Sequence, residues 1–413
     1  MSRPRDPSPP LPLFVHIVHR FDVGGMENGL VNLVNRLPES LGQHCVVALT
    51  EAESSFVARI RRPDTRVIAL HKPPGQLLPF LPAVYRLLRS LRPQVVHTRN
   101  VGTLETQLAA FAAGVPVRIH GEHGWDVGDL AGENRRMLWL RRLMRHFVHH
   151  QVALSAPTQR YLLEQVQVPR AQVTNICNGV DIERFAPPAD RASARRALAA
   201  TDPRGRTVLE PDAFVVGAVG RLAAVKNPGL LVEAFAAARI RNAAFAERAR
   251  LVLVGDGPLE AETRAQVTRL GLAEVTWMPG ARSDVPQCLQ ALDLLCLPSL
   301  AEGISNAILE AMACGLPVLA TDVGGNRELV SQDETGWLLP SGDREALAQL
   351  LLRCFEDPAR TRAAGAAARA RAVTQFSLQT MVDQYHKVYA AQLARAGIVA
   401  PASAMPPRAA PNP

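Results

Sequence analysis

The sequence of 413 residues lacks the patterns that mark several common protein classes. It has no run of about 18 uninterrupted apolar residues, so we expect no membrane-spanning helix. Its proline-rich start has no long apolar segment before a small-residue cleavage site, so we expect no signal peptide. The six cysteines form no CxxC pair and have no histidine at zinc-ligand spacing. These absences predict reduced cysteines and a cytoplasmic location.

The usual nucleotide-binding and metal-binding motifs are also missing. The segment GDGPLE (255–260) lacks the third glycine of GxGxxG, and no GxxxxGK[ST] is present. No Asp-x-Asp pair is available to hold a metal ion on a sugar diphosphate. The charge of a bound diphosphate would therefore have to be matched by arginine, lysine and helix N-termini.

The composition is that of a globular protein with a basic first half. Hydrophobic residues make up 47% of the chain, and its length suits two domains of about 200 residues. The first 190 residues carry 22 Lys+Arg against 16 Asp+Glu, which is +6 of the net charge of +8. This charge suggests an anionic partner such as phosphate, nucleic acid or a lipid headgroup, and a general preference for arginine is the alternative. Aromatic content of 5% argues against a nucleic-acid binder.

Apolar runs of strand length alternate with segments of helical period, which predicts an α/β protein with parallel, doubly wound sheets. The rhythm breaks at ICNGVDIERFAPPADRASA (176–194), where Asn-Gly and Pro-Pro mark turns, and then restarts. Each half is therefore expected to be a Rossmann-like unit, with ligands bound at the carboxyl ends of its strands. We predict a flexible amino terminus at 1–12, Rossmann-like domains at 13–185 and 186–375, a helix at 376–396 and a disordered tail at 397–413.

Two loops that follow strands carry the features of a phosphate site. Gly24 and Gly25 open a helix, where free N–H groups attract phosphate, although a tight turn explains them equally well. Arg221 and Lys226, in GRLAAVKNP, follow the first strand of the second half. An arginine fork and a lysine point charge together suit a diphosphate.

Two histidines lie in RIHGEHGWD (118–126) at the end of a strand. His120 and His123 are three residues apart, so they would not share one face of the strand. At least one of them is therefore available for a structural role, and the sequence leaves open which is functional.

Two glutamates interrupt an apolar stretch that runs from Leu297 to Gly325. Glu302 lies in a loop before a helix that Ser305 or Asn306 caps, and Glu310 lies more than one turn inside that helix. Buried carboxylates are costly unless they are paired, and carboxylates accept hydrogen bonds from sugar hydroxyls well. We expect the two to contact different parts of one ligand.

A basic helix is predicted within ENRRMLWLRRLMRHFVHH (133–150). Its arginines alternate with apolar residues, so it could lie on an anionic bilayer or could be an ordinary helix packed on the sheet. The arginines are Arg135, Arg136, Arg141, Arg142 and Arg145.

The stretch that begins EGISNAILE at Glu302 resembles the E-x7-E signature of family 4 of the retaining glycosyltransferases, also called glycosyl transferases group 1. GRL…K, VGDGP, NGVD…F and GG-x-E match the family's other motifs in the family's order, and the resemblance covers about residues 13–392. HGEHGWD is similar to sugar transferases associated with bacterial exopolysaccharide systems. The resemblance implies a GT-B fold, with two Rossmann-like domains facing across a cleft and a C-terminal helix crossing back to the first.

The resemblance also implies a role for each candidate residue. Arg221 and Lys226 would neutralise the donor's diphosphate, Glu302 would bind the transferred sugar, and Glu310 would bind the ribose. Gly24 and Gly25 would approach the diphosphate from the acceptor domain, and His123 matches the active-site histidine better than His120 does. The catalytic set is then His123, Arg221, Lys226 and Glu302, and the donor-binding set is Gly24, Gly25, Arg221, Lys226, Glu302, Gly303, Ile304, Ser305, Asn306 and Glu310.

The expected function is transfer of a sugar, with retention and without a metal or cofactor. The donor would be a UDP- or GDP-sugar and the acceptor a glycan or a lipid-linked molecule, in bacterial exopolysaccharide or cell-surface glycan synthesis. The protein would be cytoplasmic, with peripheral attachment to the inner face of the cytoplasmic membrane through the basic helix. A GT-B sugar-nucleotide 2-epimerase is the alternative enzyme, and a basic nucleic-acid binder is the alternative from another class.

Overall fold

The computed structural model describes residues 11–123 and 134–398. The chain divides into two compact units, and the break lies between Cys177 and Asn178, a few residues before the predicted boundary after residue 185. The first unit takes up the chain again from Met381, so its residues come from both ends of the sequence. The predicted amino terminus and tail lie almost wholly outside the described residues.

The first unit is built on seven strands, β1 to β7. Their bounds are Leu13–Val18, Gln43–Ala48, Arg66–Ala69, Val95–Arg99, Val117–Glu122, His150–Ala153 and Val173–Asn175. All are parallel, in the order β3-β2-β1-β4-β5-β6-β7. Helices α1 to α7 span Gly25–Arg36, Ser54–Val57, Leu81–Leu91, Val101–Leu104, Thr106–Ala112, Arg135–Met144 and Ala156–Glu164.

The second unit is built on six strands, β8 to β13. Their bounds are Phe214–Val219, Ala249–Val254, Thr276–Gly280, Leu294–Leu297, Val318–Thr321 and Gly336–Leu339. All are parallel, in the order β10-β9-β8-β11-β12-β13. Helices α8 to α18 span Arg191–Ala199, Pro203–Val208, Pro228–Arg241, Ala243–Arg248, Glu260–Arg269, Val285–Gln290, Asn306–Ala313, Asn326–Leu329, Arg344–Glu356, Pro358–Gln375 and Leu378–Arg395. From Met381 onward, α18 belongs to the first unit.

The remaining helical segments are single 3₁₀ turns. They span Glu39–Leu41, Leu78–Phe80, Arg145–Phe147, Arg170–Gln172, Ala224–Lys226 and Ala273–Val275.

Both faces of each sheet are covered, which is why the strands read as continuous apolar runs. In β2, Cys45 and Val47 pack in one core cluster with α3 and α5, while Val46 and Ala48 pack in another with α1. In the second unit, a larger core includes Phe235, and its strands and helices bury their apolar faces there. The predicted α/β class is therefore confirmed. None of the six cysteines, all of which lie in described segments, forms a disulfide.

Strand order reverses at one point in each sheet. In the first unit β1 lies between β2 and β4, and in the second β8 lies between β9 and β11. At such a point the loops after two neighbouring strands run in opposite directions and leave a crevice at the carboxyl edge. Ligand-binding residues are therefore expected in the loops after β1 and β4 and in those after β8 and β11.

The first unit also contains a buried network of histidines around Arg99, which is 2% exposed. One Nη of Arg99 lies 3.3 Å from Nδ1 of His16, and the other lies 3.5 Å from Nδ1 of His97. His16 Nε2 lies 3.0 Å from His44 Nδ1, and the hydroxyl of Tyr389 in α18 lies 2.7 Å from His97 Nδ1. Because a guanidinium only donates, the facing Nδ1 atoms accept, and the hydrogens of His16 and His97 lie on Nε2.

These histidines are neutral. Burial, and next the charge of Arg99, hold the pKa of His16 and of His97 well below its ordinary value. Burial, with the charges of Arg62 and Arg99, lowers the pKa of His44 to about 3. No carboxylate among the described residues forms an ion pair with Arg99, so neutral rings and a hydroxyl solvate its charge.

Among the residues described, no helix combines the length and apolar character needed to cross a membrane.

Candidate active site

The predicted donor residues of the second unit come together at its crevice. The loop after β8 carries Arg221 and Lys226, and the loop after β11 carries Glu302 and leads into α14. Since β8 and β11 are neighbouring parallel strands, both loops leave the same edge of the sheet.

Lys226 and Glu302 form an ion pair between these loops. Lys226 Nζ donates to Glu302 Oε1 at 2.6 Å, and the glutamate side chain is only 8% exposed. The hydroxyl of Ser299 donates to the same oxygen at 2.6 Å. Oε2 of Glu302 makes no such bond within the described part of the chain, and Lys226 has two further N–H donors. Both groups therefore keep hydrogen-bonding capacity for a ligand while they stay paired with each other.

Arg221 differs from Lys226 in its surroundings. It is exposed and directly follows Gly220 at the end of β8. No carboxylate in residues 11–123 or 134–398 pairs with it, so its guanidinium is available at the mouth of the crevice.

Two glycines hold the loops of this site in place. Gly255, with φ +136°, lies against the loop after β8, where a Cβ would be 2.0 Å from the carbonyl oxygen of Gly220. Gly324, with φ +54°, lies against the loop after β11, where a Cβ would be 1.7 Å from the carbonyl oxygen of Glu302. The VGDGP and DVGG motifs therefore support loops, a role that motif matching did not predict.

The start of α14 is closed by side chains. Ser305 is the N-cap, and its hydroxyl accepts from the backbone N–H of Ile308 at 3.5 Å. Asn306 instead accepts from Asn178 Nδ2 at 2.9 Å. The open choice between the two caps is therefore decided for Ser305. The other predicted donor residues here differ in exposure, because Gly303 is partly exposed and its carbonyl accepts from Gly325, whereas Ile304 is buried.

Glu310 lies in the second turn of α14 and is the most perturbed carboxyl group of the site. Burial raises its pKa to about 7, and the charge of Arg184 acts in the opposite direction. No hydrogen bond or ion pair to its carboxylate is present in the described segments. An unpartnered, half-titrated carboxyl group in a crevice is a candidate for binding a ligand's hydroxyl groups.

In the first unit, the predicted glycines open α1. Gly24 is the N-cap and Gly25 the first helical residue. A Cβ at Gly24 would lie 2.1 Å from Glu27 Oε2, so the glutamate's own carboxylate covers this helix start. Burial raises the pKa of Glu27. The third member of the GG-x-E motif is thus an occupant of the helix N-terminus, which the sequence analysis did not foresee.

His120 is held within the sheet by a hydrogen bond on one ring nitrogen and a longer contact with a carboxylate on the other. Its Nδ1 lies 2.8 Å from the hydroxyl of Thr98, and its Nε2 lies 3.5 Å from Glu122 Oε1. Glu122 also accepts from Arg141 Nε at 2.7 Å. Burial alone would raise the pKa of Glu122, but its bond with His120 and the charge of Arg141 hold that pKa at about 2.

His123 follows β5, and neither of its ring nitrogens has a hydrogen-bond partner among the residues that the structure describes. Its backbone N–H donates to Asn100 Oδ1 at 2.8 Å, which ties it to the loop after β4. Its ring covers Gly121, where a Cβ would lie 2.5 Å from Nε2. Burial, with the charge of Arg99, lowers the pKa of His123 to about 3. The geometry thus makes His123, not His120, the candidate for contact with a ligand.

The prediction that all five arginines near α6 face a membrane is wrong for Arg141. That side chain is 4% exposed, because its bond with Glu122 turns it into the unit. Arg145 donates to the carbonyl oxygen of Val166 at 2.8 Å, and Arg142 donates to that of Gln165 at 2.8 Å. The remaining two, which are exposed, are Arg135 and Arg136.

Within the described ranges, no group of three histidine, cysteine, aspartate or glutamate side chains is arranged to hold a metal ion.

Comparison with solved structures assigns the fold class. The crystal structure of Anabaena HepE in complex with UDP is similar over 92% of this chain and 99% of that chain, at 25% identity and a TM-score of 0.75. WaaG, a glycosyltransferase involved in lipopolysaccharide biosynthesis, shares the fold over 91% of this chain and 99% of its own, at 15% identity and a TM-score of 0.71. With its two parallel Rossmann-like sheets, the molecule is a GT-B protein, as predicted.

Sequence comparison then gives the family. Residues 23–184 match the model of glycosyltransferase family 4, and residues 213–357 match that of glycosyl transferases group 1. The mannosyltransferase LpsB of Rhizobium meliloti is 32% identical over 268 residues, which cover 63% of this chain and 70% of that protein. An Escherichia coli α-1,3-galactosyltransferase is 29% identical over 311 residues, which cover 74% of this chain and 78% of that protein. The chain belongs to the family 4 glycosyltransferases, and the predicted resemblance is confirmed.

Proposed function

We propose that the protein transfers a sugar from a UDP- or GDP-sugar to a glycan or lipid-linked acceptor in bacterial exopolysaccharide or cell-surface glycan synthesis. The observation that carries the proposal is the crevice where the Lys226–Glu302 pair lies beside α14 with its unpartnered Glu310. The names of similar proteins support the pathway. The E. coli relative is a UDP-Gal:α-D-GlcNAc-diphosphoundecaprenol galactosyltransferase, and others are EpsF of Bacillus subtilis and the amylovoran biosynthesis protein AmsK of Erwinia amylovora.

The donor is held by charge and by hydroxyl recognition in this proposal. Arg221 and Lys226 neutralise the diphosphate, and Glu302 accepts a hydroxyl of the transferred sugar on Oε2 while Oε1 stays with Lys226 and Ser299. Glu310 accepts from the ribose hydroxyls. HepE has been solved with UDP-glucose, which supports a nucleotide-sugar donor.

Transfer proceeds with retention in this proposal, by attack on the face from which the nucleotide leaves. The bond between the anomeric carbon and the phosphate oxygen breaks, the acceptor oxygen bonds to that carbon, and its proton passes to the leaving phosphate oxygen. A histidine with a pKa of about 3 is a weak base, so His123 orients the transferred sugar as a neutral ring. The protein then contributes position and charge, without a metal or cofactor.

The proposal is tested by thermal unfolding with UDP, GDP, ADP, TDP and NAD, each without added metal. A nucleotide at about 100 times its Kd should add roughly 2.7 kcal/mol of stability. Incubation of the matching nucleotide-sugar with candidate acceptors in EDTA should give an anomerically retained product. Absence of stabilisation by all five, or epimerisation of the donor without acceptor, would contradict the proposed transfer.

Nucleotide binding is expected to depend on pH through Glu310. Because its pKa is about 7, the carboxylate that accepts the ribose hydroxyls is mostly protonated at pH 6 and mostly ionised at pH 8. The affinity for uridine, which lacks phosphates, should fall about tenfold from pH 8 to pH 6. In Glu310→Gln the affinity should be weaker and independent of pH. Titration calorimetry measures both, and an unchanged pH profile in the variant would refute this role.

We also propose that α6 attaches the protein to the inner face of the cytoplasmic membrane. Its outward side presents Trp139, which is 65% exposed, and Leu143 beside Arg135, Arg136 and the exposed Arg142. Amphipathic helices of this kind bind anionic lipid through apolar burial and charge.

Flotation with phosphatidylglycerol vesicles at low salt tests this attachment. A basic residue near such a surface contributes about 1 kcal/mol, so Arg135→Ala with Arg136→Ala should weaken binding more than tenfold. Arg269→Ala, an exposed arginine of α12, is the control and should leave binding unchanged. Equal flotation of the double variant would contradict the proposal.

A further inference from the structure

The first unit has a cavity of its own at the carboxyl ends of β1, β2 and β3, with a volume of about 590 Å³. Residues from the loops after all three strands line it, and the loop after β3 also contributes Pro73, Pro74 and Gly75. The polar lining consists of His19, Arg20, Thr50, Glu51, His71 and Lys72.

Lys72 is the buried charge of this cavity. It is 8% exposed, and its Nζ donates to the carbonyl oxygens of Pro73 at 2.9 Å and Gly75 at 2.6 Å. An ammonium group has three donors, so one is left over. No carboxylate in the described ranges forms an ion pair with Lys72. A buried cation without a counter-ion is costly, and a bound anion relieves that cost.

Arg20, which also lines the cavity, forms ion pairs with two carboxylates. Arg20 Nε lies 2.8 Å from Asp22 Oδ2, and Arg20 Nη2 lies 3.1 Å from Glu51 Oε2. Glu105 lies within the electrostatic field of Lys72: burial raises the pKa of Glu105, and the charge of Lys72 acts in the opposite direction. Of the two cations that line the cavity, Lys72 is therefore the one that forms no ion pair within the described residues.

Two imidazole rings add hydrogen-bonding groups to the cavity. Burial, and then the charge of Lys72, lower the pKa of His19, so its ring is uncharged at neutral pH and offers one donor and one acceptor. His71 has φ +50°, an uncommon conformation for histidine, and its backbone N–H donates to the carbonyl oxygen of Thr50 at 3.0 Å. The Lys72 ammonium together with ring N–H donors suits an anion with several oxygens, each of which can accept a hydrogen bond.

Lysine is rare in this chain, which makes its placement informative. The sequence has only three lysines, and two of them follow strands at the carboxyl edge of a sheet, Lys72 after β3 and Lys226 after β8. The third, Lys387, is exposed on α18. Lysine at a loop of this kind offers a compact charge for a phosphate group.

We propose that the cavity after β1, β2 and β3 binds a phosphate group of the acceptor, with Lys72 as its cation. This rests on the proposed transferase function, in which Arg221 and Lys226 of the second unit match the donor's diphosphate. Because the donor's diphosphate already has those two cations, we assign the anion at Lys72 to the other substrate, the acceptor. The phosphate comes either from a lipid diphosphate or from a soluble sugar phosphate.

The test measures binding of farnesyl diphosphate and of N-acetylglucosamine 1-phosphate to the full chain by calorimetry, with UDP at saturation. For whichever phosphate probe the unchanged protein binds, Lys72→Met should lower the affinity by at least tenfold. The affinity for UDP should stay unchanged. Lys72→Arg should retain part of the affinity, and Lys387→Met should change neither ligand. Preference for farnesyl diphosphate identifies a lipid acceptor, and preference for the sugar phosphate a soluble one.

Three outcomes distinguish a failure of this proposal from a failure of the proposed transferase function. Failure of UDP to bind the unchanged protein would count against the transferase proposal itself. Normal UDP binding with equal phosphate affinity in Lys72→Met, or with neither probe bound, would overturn the acceptor site alone. If Lys72 merely held the turn at Pro73–Gly75, Lys72→Met would lower the unfolding temperature and Lys72→Arg would lose the phosphate probe as fully as Lys72→Met.

Discussion

Replacing Lys226 with alanine is expected to lower kcat by about 10²-fold or more, the scale of losing one preorganised electrostatic contact in an active site. The reason is that the negative charge on the leaving diphosphate grows in the transition state, while the ammonium already stands fixed by its bond to Glu302. KM for the donor should change less than kcat, because the contact strengthens as the bond breaks. Steady-state kinetics with the matched nucleotide-sugar measures both constants.

The change leaves Glu302 buried without its partner, so stability needs its own control. Glu302 keeps its bond from Ser299, and Lys226→Ala combined with Glu302→Gln removes the unpaired charge. Lys387→Ala removes an exposed lysine and should have full activity. Near-normal turnover in a folded Lys226→Ala protein would show that this lysine does not face the diphosphate.

Acid is expected to unfold the first unit well before the second. His16, His44, His97 and His123 are neutral when folded, with pKa values held far below 6.5, and each takes up a proton when the chain unfolds. Their contribution to stability is complete above pH 6.5 and is lost as the pH falls from 6.5 toward the folded pKa values. Between pH 7 and pH 5 each histidine lowers the free energy of unfolding by about 2 kcal/mol and the four together by about 8, which is of the order of a whole domain's stability.

The second unit should respond in the opposite direction. Glu310 has a folded pKa of about 7, above its unfolded value, so it binds a proton more readily when folded and gains stability as the pH falls through 7. In calorimetric scans from pH 8 to pH 5, the unfolding temperature of the first unit should therefore fall steeply, while that of the second should not. His44→Gln removes one titrating group, so the first unit should take up about one proton fewer when it unfolds. A transition that does not move with pH would disprove the neutral network.

The sequence predicted the sheets and the candidate residues of the second unit because their signals are local. Each βα loop is short, so a glycine, arginine or glutamate that follows an apolar run must lie at the carboxyl edge. Two short strands, β7 and β13, were not foreseen. VTN and GWLL are too short to show a period, and pairing with a neighbouring strand makes them strands.

Long-range pairs were beyond the reach of a single sequence. Arg141 looks like its exposed neighbours until β5 places Glu122 beside it. The roles of Gly255 and Gly324 depend on the backbone of loops far away in the chain. Lys72 has no motif around it, and only the cavity formed by three separate loops distinguishes it from a surface lysine.

The return of α18 to the first unit has a consequence for biosynthesis. Tyr389, which is fully buried and bonded to His97, is synthesised after every residue of the second unit. The second unit is complete at Thr380 and is free to fold during synthesis, whereas the first lacks the last part of α18 until the residues from Met381 onward have been made. A nascent or truncated chain that ends before Met381 therefore exposes apolar surface on its first unit, and this surface is a binding site for chaperones.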